Sequence, residues 1–219
     1  MPVATARSRD DESQSDRRAR ILDAAERCFV RSGFHRTTMQ DVAAEAAMSP
    51  GNLYRYFASK DAIVAGLAER DRAEVSRDFA GFINVENFAE GFELLARKHL
   101  QEEPRNRAIL CLEIWAEATR NAAFAELTHE FRRELAGRMT QLFTEVQARG
   151  AIAAGVDPEA LALLVITFAD GLFVRRAIAR DFQPSREIAQ FLAVIEAAFA
   201  GRIDLGRALV DEPALEDAQ

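Results

Sequence analysis

Two helix-start signals stand unusually close together in this sequence, and between them only very short helices fit. Thr38-Met39-Gln40-Asp41 has the form of a capping box, with the Thr38 hydroxyl placed to accept from the Asp41 N–H. Val42, Ala43 and Ala46 give this helix its inner face, and it must stop near Ala47. Ser49-Pro50 opens the next helix, with serine as N-cap and proline at the first helical position, where its missing N–H is harmless. That helix carries Leu53, Tyr54 and Phe57 before Ala58-Ser59-Lys60-Asp61 turns and caps a third. Just upstream, from about Asp16 to Arg31, Ile21, Leu22, Ala25, Cys28 and Phe29 form an apolar stripe that Gly33 ends. Cys28 lies on that stripe and reads as a small core residue.

The rest of the sequence also reads as helix: alanine is abundant, and Gly and Pro fall mostly between periodic stretches. The helix opened near Asp61 runs through Ile63, Val64 and Leu67 toward Phe79 or Phe82. Larger amphipathic helices follow. One is lined by Phe88, Phe92, Leu95 and Leu100 and ended by Pro104, and a second holds Ile109, Leu112, Ile114 and Trp115. A third carries Phe124, Leu127, Phe131, Leu135, Met139, Leu142 and Val146 in helical register. Asp157-Pro158 and Pro184-Ser185 open two more, over residues 159–180 and 185–199. The expectation is an all-α chain. It has a disordered arm over residues 1–15, a three-helix domain over 16–67, a larger helical domain over 68–204 and an acidic tail over 205–219.

Composition narrows the function. Hydrophobic residues make up 49% and charged residues 29%, which excludes wholesale disorder. The longest uncharged apolar run, residues 160–169, falls far short of the roughly 20 residues needed to span a bilayer. The first residues are polar with no apolar leader, and Cys28 and Cys111 cannot build a disulfide framework, so the reading is cytoplasmic. Three histidines without a carboxylate at metal-ligand spacing argue against zinc, and no cofactor is implied. The net charge of −7 seems wrong for a polyanion binder, but it hides an asymmetry. Residues 17–60 carry eight basic side chains against four acidic, leaving the remainder with an acidic excess of eleven. A basic head on an acidic body binds a polyanion at one end only.

Two short helices joined by a tight turn and backed by a basic helix form a helix-turn-helix, with a plain αα-hairpin as the bland alternative. The second helix suits the major groove of double-stranded DNA. Its N-terminal N–H groups face phosphate oxygens, Gly51 lets the backbone approach a base edge, and Asn52 offers an amide able to pair with adenine. Tyr54 and Tyr56 supply hydroxyls, and Lys60 supplies a charge for a backbone phosphate.

The stretch TTMQDVAAEAAMSPGNLYRYFASKDAIVAGL, residues 37–67, resembles the DNA-binding domain of the TetR family of transcriptional repressors. The paired threonines, the Asp-Val-Ala core, the Ser-Pro-Gly-Asn-Leu-Tyr helix, the aromatic pair and the following lysine carry the resemblance. It implies phosphate contacts from Thr38, Ser49, Tyr54, Tyr56 and Lys60, and base contacts from Gln40, Pro50, Gly51 and Asn52. Two positions depart from the pattern: Ala47 stands where the family usually has glycine in the turn, and Tyr56 where histidine is common. An alanine at positive φ there costs about 1 kcal/mol.

Farther along, CLEIWAEATRN (residues 111–121) and FADGLFVRRAI (residues 168–178) are similar to the choline-responsive BetI-like repressors. The similarity implies a ligand-sensing and dimerising domain without naming the ligand. Phe92, Trp115, Phe124, Phe131, Phe143, Phe168 and Phe173 are candidate walls of an apolar pocket for a small-molecule effector, with plain core as the other reading of each. His99, His129 and Arg120 are candidate polar contacts. Asp170-Gly171 interrupts an otherwise apolar helix, and a buried carboxylate needs a partner, for which Arg175 or Arg176 is nearest in sequence. That aspartate reads as a ligand contact, a dimer contact or an intrachain pair at a close helix crossing. The helices over 159–180 and 185–199 are too apolar to face water on two sides, so a four-helix homodimer interface is expected. Its symmetry would set two recognition helices about one DNA turn apart, matched to an inverted-repeat operator. The resulting expectation is a repressor that a small molecule releases from DNA. The rivals are an enzyme on a helical bundle and an interaction module that keeps the helix-turn-helix shape without reading DNA.

Overall fold

The computed structural model describes residues 13–82, 88–102 and 104–205, and every regular element among them is helical. The chain divides into two units between Arg70 and Asp71. The arm expected over residues 1–15 lies outside the described residues up to residue 12, as does the acidic tail from residue 206.

The first unit begins with α1, Gln14–Ser32. It starts two residues ahead of the expected Asp16, within the stretch read as an arm, because Ser13 and Asp16 form a reciprocal capping box. Its buried face is Ile21, Leu22, Ala24, Ala25, Cys28 and Phe29, and Gly33 closes it at φ 80° with its N–H donating to the Phe29 carbonyl. Cys28 is 1% exposed, and burial pushes its thiol pKa up, as suits a packing residue. Next come α2, Met39–Glu45, and α3, the single turn Pro50–Leu53. The expected capping box holds α2: the Asp41 N–H donates to Thr38 Oγ1 at 3.2 Å, and the Thr38 N–H donates to Asp41 Oδ2 at 2.8 Å. Glu45 accepts from Arg27 Nε at 2.7 Å and Arg31 at 3.2 Å, which ties α2 to α1. Phe57, Ile63, Val64 and Leu67 complete the core, the last three from α4, Lys60–Phe82. Gly66 cannot be larger, because a Cβ there would stand 2.9 Å from the Phe57 ring and 3.1 Å from Leu22.

Between α2 and α3, Ala47 adopts φ 54°, the left-handed conformation expected of a glycine at this turn. The Ala47→Gly variant is therefore expected to be more stable by about 0.5–1 kcal/mol, since relief of left-handed strain exceeds the entropy that glycine adds to the unfolded chain. In thermal unfolding this is a rise of about 2–4 °C in Tm, and a fall would mean that the turn is not strained.

The second unit takes in the later part of α4, from Asp71, followed by α5 (Phe88–Ala96), a π-helical stretch (Arg97–Glu102), α6 (Arg105–Ala118), α7 (Ala122–Ala148), α8 (Pro158–Ile178) and α9 (Pro184–Phe199). Phe88, Phe92, Phe143 and Phe199 meet ring to ring, the closest centroids 4.9 Å apart. Phe191, Ile188, Ile195 and Leu161 extend the same core. Asp157 caps α8 by accepting from the Glu159 N–H at 2.9 Å, with Pro158 at the first helical position. The widened π turn offers the Leu100 and Gln101 carbonyls to the guanidinium of Arg176, which is 7% exposed. No helix among the described residues is long and apolar enough to cross a membrane.

Candidate nucleic-acid interface and effector cavity

The first unit exposes the start of α3. Ser49, Pro50 and Gly51 are exposed, while Leu53 behind them is fully buried and anchors the turn. A Cβ built on Gly51 would meet nothing within 4 Å, so the backbone there is open to a bulky neighbour. The Ser49 hydroxyl accepts from the Asn52 N–H at 3.3 Å, fixing the loop-to-helix entry. Tyr54 is 52% exposed, a large aromatic with no packing role to hold it there. Asn52 and Tyr56 are half-buried. At the start of α2, Thr38 and Gln40 are exposed on the rim of the same element pair. The nine residues singled out in the sequence thus include six that are exposed: Thr38, Gln40, Ser49, Pro50, Gly51 and Tyr54.

Lys60 has a contact within the chain beside the one expected of it. Its Nζ donates to the Phe34 carbonyl at 2.7 Å and reaches the His35 carbonyl at 3.4 Å, standing 4.4 Å over the Phe34 ring. It braces the turn after α1, because the α4 N-terminus brings it against the carbonyls of that turn. Sequence reasoning passed over Arg55, exposed in the turn that ends α3. Its place beside Tyr54 was the available signal.

The second unit holds a partly open cavity of about 240 Å³. Of the residues proposed as effector contacts, Phe92, His99, Trp115, Phe131, Asp170 and Phe173 line it. Phe124 and Phe143 are buried away from it, at 2% and 0% exposure. Phe168 packs tilted against Phe191 at 5.3 Å and borders an open groove with Arg175 and Glu187 instead. Arg120 is exposed and pairs with Glu117 at 2.9 Å. His129 does have a carboxylate three residues before it, Glu126 on α7, contrary to the sequence reading, but both are exposed and neither lines the cavity.

Asp170 finds its partner on another helix. Arg132 of α7 donates to Asp170 Oδ2 at 2.6 Å, while Arg175 pairs with Glu187 and Arg176 caps the π turn. Five and six residues along a helix, Arg175 and Arg176 point about 140° and 120° away from Asp170, so neither shares its face. Gly171 is exposed, and a Cβ there would meet nothing within 4 Å, so no helix among the described residues crosses closely at that point. Sequence reasoning also missed Arg107 and Asp71, which pair at 3.1 Å on the cavity wall.

His99 belongs to the π-helical stretch, and its Nε2 lies 2.6 Å from Asp78 of α4, which also accepts from Lys98 at 2.7 Å. Burial pushes the Asp78 carboxyl up, but the hydrogen bonds from Lys98 and His99 outweigh it and hold the group below the usual carboxylate range. A carboxylate lowered on folding stabilises above its unfolded pKa, and that stabilisation is lost as pH falls through the folded value. Asp78→Asn is thus expected to cost about 1–2 kcal/mol at neutral pH and to converge with the parent in acid. Denaturant titrations at pH 7 and in the acid range check this, and an equal difference at both would contradict it.

Comparison with known proteins agrees with this division. The family model described as bacterial regulatory proteins, tetR family, matches residues 21–67. That of the BetI-type transcriptional repressor C-terminal domain matches residues 89–200. The chain is 26% identical over 155 residues to the HTH-type transcriptional regulator UidR of Escherichia coli K12, covering 71% of this chain and 79% of that protein. It is 29% identical over 171 residues to the HTH-type transcriptional repressor Rv1474c of Mycobacterium tuberculosis, covering 76% and 86%. Among solved structures, GusR of Salmonella enterica superposes with a TM-score of 0.72 at 26% identity, covering 86% of this chain and 98% of that one.

Proposed function

Since the chain belongs to the TetR family of bacterial transcriptional regulators, and is not an enzyme, we propose that it is a homodimeric repressor that a small molecule releases from its operator. The observation that carries the DNA-reading part is the exposed start of α3, where Gly51 opens the backbone and Tyr54 stands out beside it. Thr38, Gln40, Ser49, Pro50, Gly51, Asn52, Tyr54 and Tyr56 are the proposed contacts, with Arg55 added from its exposure. Lys60 is proposed to meet a backbone phosphate from a position where it also braces the turn after α1.

The dimer is proposed to form through α8 and α9. Leu163 and Ile178 of α8 are 64% and 67% exposed, and Gly171 on the same helix leaves room for close approach. A second copy covers such a face by two-fold symmetry. The effector is proposed to enter the cavity of the second unit, where α4 contributes Asp71 and Val75 to the wall. The same helix carries Lys60 at its start, so it takes part in both functions. Allosteric coupling of about 1–3 kcal/mol, a 5–150-fold change in affinity, is enough for release. A reader of chromosomal DNA works in the cytoplasm.

Selection from a pool of random duplexes tests this reading. The protein is expected to enrich an inverted repeat with half-sites about one helical turn apart. Affinity for the selected duplex should fall with salt at a log-log slope of about −0.9 per phosphate contacted. No enrichment and no salt dependence would favour an interaction module that keeps the fold without reading DNA.

A further inference from the structure

The cavity in the second unit has a size, a charge balance and one open polar edge, and together these restrict its occupant. We propose that it takes an uncharged, roughly bicyclic ring compound bearing a hydroxyl group, held at the Arg132–Asp170 pair. This rests on reading the cavity as the effector site.

The size comes first. At about 240 Å³ the cavity exceeds by half the space that accepts a single benzene ring, about 150 Å³. Phe131, Phe173 and Trp115 give the wall the aromatic surface that suits a flat ring compound.

Charge decides between neutral and ionic occupants. The wall carries Asp71, Arg107, Arg132 and Asp170, two acids and two bases already paired with one another at 3.1 and 2.6 Å. An ionic ligand would add a charge that nothing answers. A carboxylate taking the place of Asp170 on Arg132 would strand Asp170, and a cation taking the place of Arg132 would strand the guanidinium.

The two pairs are not equally available. Arg107 is held by Asp71 and by Glu74 at 3.6 Å, and His99 is held by Asp78. Arg132 and Asp170 meet through one guanidinium nitrogen and one carboxylate oxygen. A guanidinium has five N–H donors and a carboxylate a second oxygen, so this pair presents donor and acceptor side by side. A hydroxyl matches both at once: its oxygen accepts from an Arg132 N–H and its hydrogen donates to Asp170. The Trp115 ring, 5.1 Å from the Arg132 guanidinium, holds that donor in place.

Calorimetric titration of the full-length protein with four probes tests the assignment: 2-naphthol, naphthalene, 2-naphthoate and choline. The expected order puts 2-naphthol about tenfold to a hundredfold tighter than naphthalene, with 2-naphthoate and choline weaker than both. In Arg132→Met/Asp170→Leu, the advantage of 2-naphthol should vanish while naphthalene still binds. Thr128→Val, at another polar position of the wall, should keep the advantage. Equal affinity for 2-naphthol and naphthalene in the parent, or tighter binding of 2-naphthoate or choline, overturns the proposal whether or not the variants fold. Binding of none of the four overturns it together with the effector reading. A 2-naphthol preference that leaves affinity for the selected duplex unchanged upholds the ligand class and removes the effector role.

Discussion

Gly51→Glu is expected to fold as the parent does and to lose affinity for the selected duplex by about a hundredfold or more. The folding half follows from the space around the residue: a Cβ there meets nothing within 4 Å, and φ is not positive, so a longer side chain extends into solvent. Glutamate is also a better helix former than glycine by roughly 0.5 kcal/mol or more. The binding half follows from the charge. A carboxylate at the start of α3, the element proposed to enter the groove, would face phosphate oxygens, and like-charge juxtaposition at an interface costs several kcal/mol. Fluorescence anisotropy on the selected duplex, with thermal unfolding alongside, reads both halves. An unchanged affinity would mean that α3 does not approach DNA.

Phe143→Ala is expected to destabilise the second unit by about 3–5 kcal/mol, the usual cost of emptying a buried phenylalanine site. Phe143 is fully buried and packs edge-on against Phe88 and Phe199 at 6.2 and 5.8 Å. A fall of about 10 °C or more in Tm by calorimetry is the corresponding observation. Phe131→Ala, at a half-buried ring on the cavity wall, should cost less stability and more ligand affinity. Similar losses from both would mean that the cavity wall is part of the load-carrying core.

These two residues show what the sequence could and could not convey. Helix starts were legible because capping acts between residues two or three apart. Thr38 with Asp41, Ser49 with Pro50 and Asp157 with Pro158 all stand as read. Gly33 as a stop was legible for the same local reason, whereas the left-handed turn at Ala47 was legible only through the family resemblance. The one early start that escaped, at Ser13, lay in polar sequence where no apolar period marks a helix.

The cavity was only half legible. Phe131 and Phe143 occupy the same helix, and spacing alone cannot tell a ring that lines a void from one that fills the core. Long-range polar contacts were not legible at all. Lys60 finds its carbonyls across a turn, and Asp170 finds Arg132 on a neighbouring helix, although arginines stand nearer to it in sequence. The π turn was equally hidden, since its carbonyls are met by Arg176 from α8.

Dimethyl sulfate protection on the selected duplex tests the central claim most directly, because guanine N7 lies in the major groove and adenine N3 in the minor. If α3 reads DNA as proposed, the protein shields guanine N7 in two half-sites about one helical turn apart, and Gly51→Glu shields none. Protection confined to adenine N3, or guanine protection that Gly51→Glu retains, would contradict the account.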